Sequence, residues 1–102
     1  MSVDAVLGAL ADPTRRELLD VLAELGQASA TTLGARLPVT RQAVMKHLLV
    51  LEQAGLVSSW RAGRQVLYQV ESGPLEGASR YLSGLASSWD RRLAMLKRVA
   101  EQ

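Results

Sequence analysis

A break at Pro38 separates two segments whose apolar residues recur at helical spacing. Ser29 can cap a helix that ends at this break, and Thr40 can cap the helix that follows. Two helices joined by so short a turn predict a helix-turn-helix over about residues 30–54. Gly34 lowers the helix propensity of the first helix, and a close crossing of the second helix would explain its presence.

The helix that begins after Thr40 is predicted to have an apolar back and a polar front. Val44, Leu48 and Leu51 form the apolar stripe, and Gly55 ends the helix. The front consists of Arg41, Gln42, Met45 and Lys46, with Glu52 as the only acid of the helix. Such a face suits a DNA major groove, although a polar helix face is often only solvated surface.

The cations concentrate in this helix and the segment after it. Residues 39–70 carry four basic and one acidic side chain, whereas residues 1–38 carry three basic and five acidic ones. The formal net charge of the whole chain is only +2. The uneven distribution is therefore more informative than the total, and it is typical of a surface that binds phosphates.

Two further helices are predicted upstream. A short amphipathic pattern covers residues 3–10, and Asp12 followed by a proline is a strong start signal for a second helix that Gly26 ends. The buried stripe of this second helix is predicted to be Leu18, Val21, Leu22 and Leu25. Arg15 and Arg16 lie outside the stripe and are interpreted as solvated charges that could reach a phosphate.

Two β-prone runs around Gly63 predict a β-hairpin over about residues 56–70. Arg61 and Arg64 lie near its tip. Arginine at a hairpin tip is often only a soluble surface residue, but here the hairpin follows a cationic helix-turn-helix. We therefore expect a wing that reaches the neighbouring groove or backbone of DNA.

The last segment, over about residues 74–101, predicts one long helix. Its apolar residues alternate spacings of three and four from Leu75 to Ala100. So long a seam cannot be buried on so small a body, and an equivalent helix from a second copy is the economical partner. The alternative is that the helix folds back across its own domain.

Several classes of function are excluded by composition. The chain has no cysteine and one histidine, and its acids are scattered, so neither a catalytic site nor a thiolate metal site is expected. No apolar run is long enough to span a membrane and no signal peptide is present, which predicts a cytoplasmic protein. We expect no enzyme, no cofactor and no membrane partner.

Four stretches together resemble the ArsR/SmtB family of winged-helix repressors. They are Ala9–Arg16, Leu37–Leu48, Leu51–Val57, and Arg61–Arg64 with Tyr68. The resemblance implies a mainly α fold with a β-hairpin wing, in the order α-α-α-α-β-β-α, as a single domain over residues 1–102. It also implies a homodimer through the first and last helices, which presents two recognition helices to a palindromic operator.

The resemblance also assigns candidate residues by position. Major-groove contacts are expected from Thr40, Arg41, Gln42, Met45 and Lys46, and wing contacts from Arg61 and Arg64. His47 matches a position where histidine is frequent, and a partly buried side chain that bonds to backbone or phosphate is favoured over base reading. Met45 replaces a small hydroxyl residue of many relatives and could contact a thymine methyl group. The expected dimer interface comprises Val3, Val6, Leu7, Leu82, Leu85, Trp89, Leu93 and Leu96.

The chain departs from the metal-sensing members of that family. It lacks their cysteines, and its terminal helix offers Glu76, Asp90 and Glu101 but no histidine. Isolated carboxylates make poor zinc or copper sites, so metal sensing is not expected. The stretch Trp89–Leu93 instead resembles the cysteine-free branch. A small-molecule effector is possible, and the sequence identifies none.

The sequence thus predicts a DNA-binding transcriptional regulator, a repressor that binds a palindromic operator as a homodimer. The alternative is a winged-helix module that binds protein without specific DNA binding, since this fold does not oblige DNA binding. The cationic front of the predicted recognition helix favours the first interpretation.

Overall fold

Side-chain caps set the starts of most helices in the computed structural model, which describes residues 2–102. Asp12, Ser29 and Thr40 each accept a hydrogen bond from the backbone N–H three residues later, at 2.9–3.2 Å. Within the described residues the elements are α1 (Val3–Leu10), α2 (Pro13–Leu25), β1 (Ala28–Ser29), α3 (Ala30–Arg36), α4 (Arg41–Gln53), β2 (Val57–Ala62), β3 (Gln65–Val70) and α5 (Gly73–Ala100). The predicted fold, a mainly helical winged helix-turn-helix with a β-hairpin, is confirmed.

The core is aliphatic and lies where α2, α3 and α4 meet. Its largest fully buried side chains are Leu18, Leu22, Leu33, Leu48, Leu51, Leu56, Val6 and Val44. The predicted stripe of α2 was wrong at its last position, because Leu25 is 38% exposed. Leu19, beside Leu18, is buried instead, so α2 presents a slightly different face to the core than the spacing pattern indicated.

Arg15 and Arg16 are not the free solvated charges that the sequence suggested. Arg15 donates from Nε to the carbonyl oxygen of Ala9 at 2.7 Å, and Arg16 donates from Nη1 to that of Leu10 at 2.5 Å. These carbonyls belong to the last turn of α1, where they have no partner inside the helix. The two guanidinium groups therefore cap α1 and hold it against the start of α2.

The corner between α1 and α2 is also fixed electrostatically. The backbone N–H of Arg15 donates to the Asp12 carboxylate, and this hydrogen bond is the main reason that the pKa of Asp12 lies below its usual value. The positive charge of Arg15 acts in the same direction. Asp12 therefore stays ionised at neutral pH and keeps its role as the cap of α2.

A two-residue strand that the sequence did not predict completes the sheet. β1 pairs antiparallel with β3, which also pairs with β2, so the strand order is β1-β3-β2. Ser29 lies opposite Leu67 in this ladder and also caps α3. The hairpin is consequently joined by backbone hydrogen bonds to the start of the helix-turn-helix.

Helix α5 projects beyond the body of the molecule. It has 28 residues, a length of about 42 Å, and only Pro74 and Ala78 are buried. Its first turns pack on α1. The radius of gyration of 18.4 Å, against about 13 Å for a compact chain of this size, reflects the projecting remainder.

We expected Gly34 to allow a close crossing of α3 and α4, but the structure leaves room for a larger residue there. A Cβ atom there would lie 3.9 Å from Cα of Arg41 and 4.0 Å from Cγ2 of Val44, which are ordinary contacts. We therefore predict that Gly34→Ala raises the free energy of unfolding by about 0.5–1 kcal/mol, since alanine restricts the unfolded chain and favours the helix. Thermal denaturation followed by circular dichroism measures this change.

Gly26→Ala is the matched control for that substitution. A Cβ atom at Gly26 also meets open space, but φ there is +83°, which disfavours any L side chain. We expect this variant to lose about 1–2 kcal/mol. A Gly34→Ala protein that melts below the wild type would show that the crossing of α3 and α4 is tighter than these distances indicate.

Candidate nucleic-acid interface

The rotation of α4 is fixed by the burial of its back. Val44, Leu48 and Leu51 are all fully or almost fully buried in the core. The five predicted major-groove residues all lie on the exposed side: Thr40, Arg41, Gln42, Met45 and Lys46. The core therefore orients one polar, cationic surface outward, and no acid lies in its first three turns.

His47 lies toward the back of α4, away from its front. Its side chain is half-buried. A helix turns by about 100° per residue, so His47 lies about 160° around the axis of α4 from Leu49, whose side chain is exposed to solvent. This position suits a structural role or a phosphate contact rather than the reading of a base.

The hairpin presents its two arginines at the tip. The ladder runs from Val57 opposite Val70 to Ala62 opposite Gln65, which leaves a two-residue loop of Gly63 and Arg64. Gly63 has φ of +64°, a conformation that this tight turn requires. Arg61 and Arg64 are both exposed.

A cleft of about 400 Å³ connects the hairpin tip to the recognition helix. Arg41 and Met45 line it from α4, and Arg64 lines it from the hairpin. Thr31 and Thr32 at the start of α3 add two hydroxyl groups that the sequence reading did not single out. The structure thus brings cations from two separate predicted regions to one continuous surface.

Two acids accept hydrogen bonds from adjacent serines of β2. Glu52 accepts a hydrogen bond from Oγ of Ser59 at 2.5 Å, and Glu71 accepts one from Oγ of Ser58 at 2.7 Å. Burial raises the pKa of the Tyr68 hydroxyl, and the charge of Glu52 adds to this effect. Tyr68 is therefore neutral at physiological pH, and Glu52 is the one negative charge beside the front of α4.

The predicted dimer residues divide into exposed and buried ones. Four residues of α5 are largely exposed to solvent: Leu82, Trp89, Leu93 and Leu96. Val3, Leu7 and Leu85 are partly exposed. The assignment of Val6 to the dimer interface is corrected, because Val6 is 2% exposed and packs within the core of its own protomer. Tyr81, Met95 and Val99 are exposed apolar residues of α5 that the prediction omitted.

Residues 2–102 contain neither a cluster of metal ligands nor a membrane-spanning helix. In this part of the chain no three side chains from His, Cys, Asp and Glu converge as a metal site would require. None of its helices combines the length and the apolar character needed to cross a membrane.

Comparison with known sequences identifies related regulators. The profile of a family described as "Helix-turn-helix domain" matches residues 10–59. An HTH-type transcriptional regulator of Bacillus subtilis, YuzN, is 43% identical over 79 residues, which cover 72% of this chain and 86% of the relative. The transcriptional repressor SdpR of the same organism is 27% identical over 88 residues, or 86% of this chain and 97% of the relative.

Solved structures match along nearly the whole chain. An ArsR-like transcriptional regulator from a Rhodococcus species superposes with a TM-score of 0.85 at 42% identity, covering 96% of this chain and 92% of the other. A homodimeric winged helix-turn-helix DNA-binding domain from Mycobacterium bovis superposes with a TM-score of 0.65 at 26% identity, covering 89% and 81%.

The negative charge of Glu52 is expected to weaken DNA binding. Glu52→Gln removes the only acid of α4 and keeps an oxygen that can accept the hydrogen bond from Ser59. Because the carboxylate lies beside the cationic front, its removal should tighten DNA binding by about two- to fivefold at low salt. Fluorescence anisotropy on a duplex of fixed sequence measures the change.

Glu71→Gln is the control, because it removes the same charge from a similar pair with the adjacent Ser58, whose side chain lies on the opposite face of the sheet from that of Ser59. We expect its DNA affinity to change less than that of Glu52→Gln. Equal gains for both variants would mean that only net charge matters, and that Glu52 has no special position relative to DNA.

Proposed function

The chain belongs to the ArsR family of winged-helix transcriptional regulators, and we propose that it represses transcription as a homodimer on a palindromic operator. The observation that carries this proposal is the exposed cationic front of α4, held outward by a fully buried back. That front and the arginine-tipped hairpin form one surface on the same side of the molecule.

Within this proposal, α4 lies in the major groove. Arg41 would read guanine through its two parallel N–H donors, and Gln42 would read adenine through its amide. Lys46 would neutralise a phosphate, which supplies affinity and salt dependence without sequence information. Arg61 and Arg64 of the hairpin would bind the adjacent backbone or minor groove.

The exposed seam of α5 supports the dimer. From Leu82 onward most of its large apolar side chains are exposed within the described chain, and Trp89 is among them. Large exposed apolar surfaces are unusual on monomers and mark interaction sites. A two-fold pair of α5 helices, assisted by Val3 and Leu7 of α1, would bury them and set the spacing between the two recognition helices.

Repression then follows from occupancy of the operator. A dimer that binds two half-sites one helical turn apart covers the DNA between them and excludes other proteins from it. The similarity to the repressor SdpR supports this direction of control.

The role of α4 is tested by replacing Arg41 and Lys46 together with alanine. Both side chains are exposed, so the fold and the dimer should persist. We expect the affinity for the operator to fall about tenfold to hundredfold, and the slope of log affinity against log salt to decrease by about 2. Anisotropy titrations at several salt concentrations measure both quantities.

The control removes two cations from the last turn of α5, through Lys97→Ala and Arg98→Ala. This pair should leave the salt slope close to that of the wild type. If the Arg41 and Lys46 variant binds DNA as the wild type does, the assignment of α4 as the recognition helix is wrong.

The role of α5 is tested by Leu93→Glu. Leu93 is 63% exposed on the seam, and a carboxylate there would have to be buried in the proposed interface. We expect a monomer by analytical ultracentrifugation and a large loss of affinity for a two-half-site duplex. Ser87→Glu places the same charge on the opposite side of α5 and should remain a dimer. A dimeric Leu93→Glu protein would contradict the proposed interface.

A further inference from the structure

An exposed leucine stands in the middle of the polar front of α4. Leu49 is 55% exposed and Met45 is 45% exposed. At about 100° per residue, Leu49 lies about 40° from Met45 and about 20° from Gln42 around the helix axis. Leu49 therefore lies near the centre of the face that is proposed to contact DNA, and away from the edge of the buried stripe.

The two apolar side chains share a defined depression. Met45 and Leu49 line a hollow of about 290 Å³ together with Tyr68 of β3, whose ring is itself 8% exposed and fixed in the core. Lys46 and Glu52 form the rest of the lining. A single exposed leucine is common on protein surfaces. Here an exposed methionine and an exposed leucine lie at helical spacing beside the buried Tyr68, and together the three side chains form an apolar patch.

This patch is continuous with the proposed DNA interface. Met45 also lines the cleft that contains Arg41 and Arg64, so the same side chain belongs to both surfaces. The occupant must therefore be an apolar group that the major groove displays. The 5-methyl group of thymine is the apolar group there, and it is displayed beside hydrogen-bonding base edges.

We propose that Met45 and Leu49 form a subsite for thymine methyl groups and so specify A·T pairs in each operator half-site. This inference rests on the proposed function, since it requires α4 to lie in the major groove. Residues 41, 45 and 49 are each separated by about 6 Å along the helix axis. The two thymines therefore lie in succession on one side of the base that Arg41 reads, the nearer one contacted by Met45 and the farther one by Leu49.

The test begins with a duplex selected by the wild-type dimer from a random-sequence pool. Each thymidine of that duplex is then replaced singly by deoxyuridine, which removes only the methyl group and preserves base pairing. We expect the affinity of the wild type to fall about fourfold at one or two positions of each half-site, as for loss of one buried methylene-sized group. Anisotropy titrations at constant salt provide the affinities.

The same deoxyuridine series is then measured with Leu49→Ala and with Met45→Ala. Each variant should lose the penalty at its own thymine and keep the penalty at the other. Leu25→Ala is the matched control, because Leu25 is an exposed leucine on α2, outside the front of α4, and should keep the wild-type pattern. Circular dichroism checks that the variants remain folded.

The possible outcomes distinguish a failure of this inference from a failure of the proposed function. A selected sequence that is bound equally with thymidine or deoxyuridine at every position would overturn the methyl subsite and leave the operator reading intact. Penalties that persist unchanged in Leu49→Ala and Met45→Ala would also overturn it. If no sequence is enriched and all duplexes bind alike, both the subsite and the proposed function are contradicted, and a protein partner becomes the occupant to seek.

Discussion

Burial of three aliphatic side chains on α4 is the constraint on which the recognition surface depends. The apolar stripe of Val44, Leu48 and Leu51 is buried away from water in only one rotation of α4 about its own axis. Truncating a leucine buried in this way typically removes about 2–5 kcal/mol, a large part of the stability of a small domain. The cationic front is thus oriented by hydrophobic packing, and the charged residues themselves contribute little to that orientation.

The neighbouring elements are held to this helix by polar contacts at their ends. Ser29 belongs both to the sheet and to the cap of α3, so backbone hydrogen bonds connect the hairpin to the start of the helix-turn-helix. At the other side, Arg15 and Arg16 bind the terminal carbonyls of α1. The helix proposed to form part of the dimer interface is therefore attached firmly to the body that carries α4. A pair of recognition helices needs such attachments, because half-site spacing is a matter of rigid geometry.

The sequence predicted the parts of the fold that depend on local signals. Helix starts at Asp12 and Thr40, the turn at Gly63 and the two-faced pattern of α4 are encoded within a few residues, and the structure has all of them. The family membership was also predictable, because several such signals occur at a fixed mutual spacing.

What the sequence did not predict depends on contacts between distant residues. A two-residue strand such as β1 has no periodicity of its own and exists only because β3 lies beside it. Arg15 could not be recognised as a cap of α1 without the angle between α1 and α2. Val6 was assigned to the dimer interface because it lies on the apolar face of the first helix, which the family resemblance places in the interface, yet α1 turns that side chain inward. The helical spacing of Leu49 from Gln42 and Met45 already places it on the polar side of α4, whereas its proximity to Tyr68 of β3 appears only in the structure.

The central claim is that two recognition helices, related by two-fold symmetry, occupy successive major grooves of one operator. Hydroxyl-radical footprinting of the selected duplex tests it most directly. The account predicts two equivalent protected patches centred about one helical turn, or about 10 base pairs, apart and symmetric about the centre of the palindrome. A single protected patch, or protection spread evenly along the duplex, would contradict the account.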